Sequence, residues 1–234
     1  MLAAILYDLD GTIVNTDPLH FRVWQALLRE YDIEIDEEFY KNRMSGRLNP
    51  FIVQDLLPKL SPEEVIKFSD RKEAQFRELA AELAPLPGLL EMLAWADEKG
   101  LKQAVVTNAP PENAKHVLSV LQLEHRFERV FVSQEIGMAK PDPGPYLYAL
   151  AYFGLTAQQA LAFEDSPSGI RSAVGAGIPT VGVASSQTPS ELYDLGVMLA
   201  ISDFKDSQLW ELLEKSEVKT EETKVLHSPL FTDN

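Results

Sequence analysis

The 234-residue chain contains no cysteine. That excludes disulfides, thiolate nucleophiles and Cys-based zinc or iron–sulfur sites. It fits a reducing compartment. Long apolar runs are also missing: none reaches the ~18 residues of a membrane span. Met1 leads at once into a short apolar stretch, not into a basic segment followed by a long apolar one. The expectation is a cytoplasmic protein with no signal peptide and no membrane partner. Positive charge is scarce. Lys and Arg number 21 against 36 Asp and Glu, a formal net charge of −15. Such a chain repels nucleic acid, which needs a basic surface. A small anionic substrate is still open to it, provided that a metal or a few local cations hold it. There is no P-loop, no G-x-G-x-x-G, no G-x-S-x-G and no H-E-x-x-H pattern.

Short buried-strand patterns are plentiful. Ala3–Leu9 is too short and too apolar for an exposed helix. Gln103–Asn108, Arg129–Gln134, Ala160–Asp165 and Ile178–Val183 read the same way, and Met198–Ser202 is a weaker sixth. Helical patterns alternate with them: Pro87–Lys99, Pro110–Leu121, Pro143–Phe153 and Ser166–Ala176. This alternation predicts an α/β fold with a doubly wound, mainly parallel, Rossmann-like sheet. The rhythm breaks over residues 17–84, which hold only amphipathic stretches: Pro18–Glu30, Glu37–Met44, Pro50–Leu57 and Pro62–Leu83. They predict a helical cap inserted after the first strand, on a core of residues 1–16 and 85–215. Residues 216–234 are polar and aperiodic, and the expectation is a loosely held extension. At this size a monomer is the default.

Polar clusters follow the strands. The first ends Asp8-Leu9-Asp10-Gly11-Thr12, the second Thr107-Asn108, the fourth Glu164-Asp165-Ser166. The third is followed by Lys140-Pro141-Asp142. Ligands of open parallel sheets sit outside the carboxyl ends of the strands, so these clusters share one edge. Several carboxylates in one crevice repel unless a cation sits among them. An all-oxygen set without His or Cys suits a hard ion, Mg²⁺ first. An ionised aspartate can attack phosphorus, while a Thr hydroxyl and a Lys ammonium hold the equatorial oxygens.

"DLDGT", the threonine ending the next strand, "KPDP" and "EDSPSG" resemble the four motifs of the haloacid dehalogenase superfamily of phosphatases. Order and spacing match over essentially Met1–Val183. The insertion resembles the cap of the subgroup that includes β-phosphoglucomutase and phosphoglycolate phosphatase. The resemblance implies a role for each matching residue. Asp8 is then the nucleophile and a metal ligand. Asp10 is the general acid and base, with its backbone carbonyl on the metal. Thr107, Asn108 and Lys140 hold the phosphoryl group. Asp165 completes the Mg²⁺ site, with Glu164 near it or acting through water. Gly11 permits a tight turn beside the phosphate.

In the cap, His20 and Trp24 share one helical face. Ordinary core packing accounts for Trp24 as well as any other role. His20 matches a histidine of the related sugar-phosphate mutases that helps the general acid into position. "SGRLN" resembles the cap loop that reaches into the site, which makes Arg47 a candidate for a second anionic group on the substrate, and Lys72, in "SDRKEAQF", matches a cap lysine of the same relatives; a solvated helix face is the rival reading for both.

Three functions compete. A phospho-receiver domain explains neither Asp10 nor the insertion. A phosphosugar mutase needs a grip on a second phosphate. Related mutases place serine then lysine just after the second motif, where this chain has Ala109-Pro110-Pro111. The expectation is therefore a Mg²⁺-dependent phosphatase of a small phosphorylated metabolite, with the mutase as the alternative.

Overall fold

In the computed structural model of the chain, residues 1–215 are described. The sequence-predicted extension at 216–234 lies outside them. The sheet has six parallel strands in the order β3-β2-β1-β4-β5-β6. They are β1 (Ala4–Tyr7), β2 (Lys102–Thr107), β3 (Arg129–Val132), β4 (Ala160–Glu164), β5 (Thr180–Val183) and β6 (Leu199–Ile201). The weak sixth strand is real, and its register sets Gly182 opposite Ala200. β1 lies at the centre, with Ile5 beside Gln103 of β2 and Leu161 of β4. All of its side chains are buried. Strand side chains alternate between faces. Ile5 and Tyr7 thus enter one apolar layer, whereas Ala4 and Leu6 enter the other with Ala104 and Ala162. The alanines let the helices of that second layer approach the sheet closely.

The helices of the insertion are α1 (Asp17–Arg29), α2 (Glu37–Arg43), α3 (Asn49–Leu56) and α4 (Pro62–Leu79). Then come α5 (Leu89–Glu98), α6 (Pro111–Val120), the short α7 (Ser133–Ile136), α8 (Gly144–Phe153), α9 (Pro167–Gly175) and α10 (Pro189–Asp194). A further helical stretch covers residues 207–215. α4 starts on a capping box, Ser61 with Glu64, and packs on α1 by stacking Phe68 on Trp24 and Phe76 on His20. It ends earlier than its apolar pattern, because residues 80–82 tighten into a 3₁₀ turn.

Two elements depart from expectation. The pattern over Arg129–Gln134 reads as strand throughout, but Ser133 already opens α7. α10 has too few residues for a visible period, although its cap, Thr188 with Glu191, is a readable start signal. The chain leaves β1 and returns to the core beside itself: Val14 bridges Asp10 on one side and Pro85 on the other. Among the described residues no helix is long and apolar enough to cross a membrane.

Candidate active site

The carboxyl ends of β1, β2 and β4 open onto one cavity of about 920 Å³, roofed by the insertion. Asp8 follows β1, where the ladder stops after its N–H bonds to the Phe163 carbonyl at 2.9 Å. Lys140, in the loop before α8, reaches over from the side. Its ammonium donates to Asp8 Oδ1 at 2.6 Å and to Glu164 Oε1 at 2.5 Å. Tyr146 on α8 donates its hydroxyl to the same Glu164 oxygen at 2.7 Å. Burial alone would lower the Lys140 pKa; the Asp8 and Glu164 charges overcome it and hold the ammonium above its ordinary range.

Oxygens of Asp8, Glu164 and Asp165 all lie within 4.8 Å of one another. Burial, with Asp8 and Glu164 beside it, raises Asp165 well above the usual carboxylate range. Its Oδ2 accepts from Ser186 at 3.0 Å and from Ser185 at 3.3 Å. Asp165 Oδ1 and Glu164 Oε2 are buried without any partner. Buried carboxylate oxygens in that state are costly. Three carboxylates with one ammonium among them therefore leave an uncompensated negative charge, and the donor set is all oxygen. It fits a hard divalent cation. Two glycines make room for this cluster. A Cβ on Gly11, whose φ is +86°, would overlap the Asp165 carboxylate, and one on Gly169 would overlap that of Glu164.

Asp10 lies two residues on and faces other partners. Thr16 donates to its Oδ1 at 2.7 Å. Burial first, and the Asp8 charge second, push it up to about 7. Its own side chain is not in the three-carboxylate cluster. Thr107 accepts the Ala109 N–H at 2.9 Å, which leaves its hydroxyl proton free to donate into the cavity. Asn108 is engaged otherwise: its Oδ1 accepts from Ser133 at 2.6 Å and from the Lys140 N–H at 3.1 Å, and its Nδ2 donates to the Lys140 carbonyl. The Asn108 side chain thus holds the loop that carries Lys140.

On the insertion side, Lys72 donates to His20 Nδ1 and to Glu73 Oε1, both at 2.8 Å. Its ammonium lies against the rings of Trp24 and Phe76. Burial, then the Lys72 charge, drive His20 well below its ordinary value, so the imidazole is neutral and Nδ1 accepts. Trp24 is buried core and a platform for Lys72 at once. Arg47 lines the cavity, but Asp55 takes its guanidinium at 2.6 Å and the Arg43 carbonyl takes another N–H at 2.9 Å.

Sequence reasoning missed several residues here. Glu73, Asn113 and Arg77 form one polar network, in which Asn113 donates to Glu73 and Arg77 donates to Asn113 at 2.7 Å. Only the seating of α4 over α6 brings them together. Thr16, Tyr146 and Ser186 were also missed. Only Thr16 carried a signal, as the residue before a proline-led helix and six positions from Asp10.

Comparison with known proteins agrees with this geometry. A phosphorylated carbohydrates phosphatase from Thermotoga maritima is 30% identical over 184 residues, which cover 77% of this chain and 84% of the relative. A β-phosphoglucomutase from Bacillus subtilis is 26% identical over 223 residues, covering 92% of this chain and 95% of its own. The crystal structure of a HAD hydrolase, family IA, variant 3, from Entamoeba histolytica superposes with a TM-score of 0.80 at 26% identity, covering 87% of this chain and 94% of that one. The family model described as haloacid dehalogenase-like hydrolase matches residues 5–183. Since that match spans all four strand-end clusters, the chain belongs to the haloacid dehalogenase-like hydrolases.

Proposed function

We propose that the protein is a Mg²⁺-dependent phosphatase of a small phosphorylated metabolite, working through an aspartyl-phosphate on Asp8. The carrying observation is the convergence of Asp8, Glu164 and Asp165 around oxygens that have no partner among the described residues, with Lys140 the one ammonium among those residues bonded into the cluster. Asp8, Asp165 and the backbone carbonyl of Asp10 would hold the ion, with Glu164 acting directly or through water. Bound there, Mg²⁺ supplies positive charge to a phosphoryl oxygen and to the Asp8 carboxylate.

Asp8 attacks phosphorus in line with the leaving oxygen. The new O–P bond forms as the bond to the leaving group breaks, and Asp10 gives that oxygen its proton. An acid pushed up to about 7 is suited to both halves of this task. Asp10, now ionised, takes a proton from water as that water attacks phosphorus, and the Asp8–phosphorus bond breaks. The Thr107 hydroxyl and the Lys140 ammonium hold the equatorial oxygens, where transition-state charge spreads. Asn108 acts by fixing the Lys140 loop. The Lys72 ammonium, held by neutral His20, lends positive field to Asp10 from the insertion side.

A mutase must grip a second phosphate. The Ala109-Pro110-Pro111 turn has no side-chain donor, and its Ala109 N–H is spent on Thr107. Arg47 is engaged by Asp55. Both observations support hydrolysis over transfer. The same reading takes residues 17–84 as a cap domain on a core of 1–16 and 85–215, and the working form as a cytoplasmic monomer. The test is phosphate release from p-nitrophenyl phosphate and a panel of sugar phosphates. Asp8→Asn is expected to abolish it, and a magnesium chelator to suppress it reversibly. Full activity in Asp8→Asn would sink the mechanism.

A further inference from the structure

Beyond the carboxylate cluster, the cavity wall is formed by α1, the loop before α3, and α3, α4 and α6. Glu73 occupies the middle of it. Its Oε1 accepts from Lys72 at 2.8 Å and from the Asn49 amide, and its Oε2 accepts from the Asn113 amide. Its side chain is 13% exposed, and the exposed part borders the cavity. A carboxylate has about four acceptor sites, so three donors leave it able to take one more.

The charge along this wall can be counted. Arg47, Lys72 and Arg77 are the cations, and Asp17, Asp70, Glu73 and Glu112 are the carboxylates, three against four. Two of the cations are already compensated, Lys72 by Glu73 and Arg47 by Asp55. Arg77 has no carboxylate within ion-pair distance among the described residues, and its guanidinium is held on Asn113. A second phosphate or a carboxylate on the substrate would enter a wall that is already negative. It would also lie within the field of Glu73, a charge that Asp10 itself feels. A hydroxyl meets no such opposition. It can donate to Glu73 and accept from an Asn49 or Asn113 N–H.

We propose, building on the phosphatase reading, that Glu73 is a specificity-determining residue. It selects substrates whose leaving group is neutral and hydroxylated, a polyol or sugar monophosphate, over substrates carrying a second anion. Selection works by exclusion as much as by attraction, because an unpaired charge facing a carboxylate is penalised in transition-state binding.

The test uses the full chain with Mg²⁺ and size-matched substrate pairs. These are 2-hydroxyethyl phosphate with phosphoglycolate, and glucose 6-phosphate with glucose 1,6-bisphosphate. p-Nitrophenyl phosphate serves as the general phosphatase control. The neutral member of each pair is expected to show at least about tenfold higher kcat/KM, equivalent to about 1.4 kcal/mol. Glu73→Gln should remove most of that preference, and Glu73→Asp, which keeps the charge, should retain it. Preference for the anionic members in the unaltered protein would overturn the proposal without any variant being needed. So would an equal effect of Glu73→Gln and Glu73→Asp on every substrate, which marks a merely structural role. Hydrolysis of p-nitrophenyl phosphate without discrimination within the pairs refutes the selectivity and leaves the phosphatase standing. Absence of release from every compound removes both.

Discussion

Replacing Lys140 by Met tests the electrostatic account most directly. The side chain is only 2% exposed, and its ammonium bonds Asp8 at 2.6 Å and Glu164 at 2.5 Å. Met has a similar length and no charge, so the packing change is small. What changes is that two buried carboxylates lose their counter-charge. Removing one partner of a buried ion pair costs ~3–5 kcal/mol. Each kcal/mol lowers Tm by ~2–4 °C for a chain of 150–250 residues. The variant should therefore melt roughly 6–20 °C below the parent in a chelating buffer. Calorimetry or urea titration reads this directly. Saturating Mg²⁺ should recover part of the loss, because a divalent cation compensates the same carboxylates. Phosphate release should stay severely impaired even then. A stability loss below about 1 kcal/mol in chelator would refute the reasoning, since a buried charge pair broken on one side cannot be that cheap.

Gly11→Ala should cost ~1–2 kcal/mol for the left-handed backbone. It should cost activity far more, about 10²-fold, by pushing aside an Asp165 carboxylate that Ser186 otherwise fixes. Parallel denaturation and turnover measurements separate the two effects, and a variant of full activity would contradict the cradle. His20 gives a pH signature. The folded protein holds it neutral, whereas the unfolded chain protonates it below its ordinary value of 6.5. The unfolded state then binds the extra proton, so stability falls as pH drops below that value, by up to ~1.4 kcal/mol per pH unit. In His20→Gln this contribution disappears, and the stability curve between about pH 6.5 and 5 should flatten relative to the parent. Matching slopes in the two proteins would mean that His20 is not held neutral.

Much of the core was legible because parallel strands are buried on both faces and read as continuous apolar runs. Ala160–Glu164 was visible for that reason, as were the carboxylates that follow it. Strand ends were less legible. Hydrogen bonding continues past β1 at Asp8 without a ladder, and β3 turns into α7 with no change in residue character. The strand-end clusters share one edge because the sheet is parallel, so Asp8, Lys140 and Asp165 could be grouped from topology alone. Asn108 lines the cavity, yet its task was not readable. The same amide could face a ligand or clamp a loop, and only Ser133 and the Lys140 backbone decide between them. Glu73 was out of reach. On α4 it looks like any exposed helical glutamate, and its environment comes from Asn49 and Asn113, 24 and 40 residues away.

The central position of β1 also has a consequence for biosynthesis. β1 leaves the ribosome first, but its two neighbours are β2 and the much later β4. Asp8 and Lys140 are 132 residues apart in the chain. At ~5–20 residues per second, Asp8 waits about 7–26 s for its ammonium to be synthesised. During that interval β1 can pair only with β2, and its other edge stays open. The nascent chain is thus inert and adhesive until β4 seats, and the step that assembles the reactive carboxylates is the same step that closes the exposed edge.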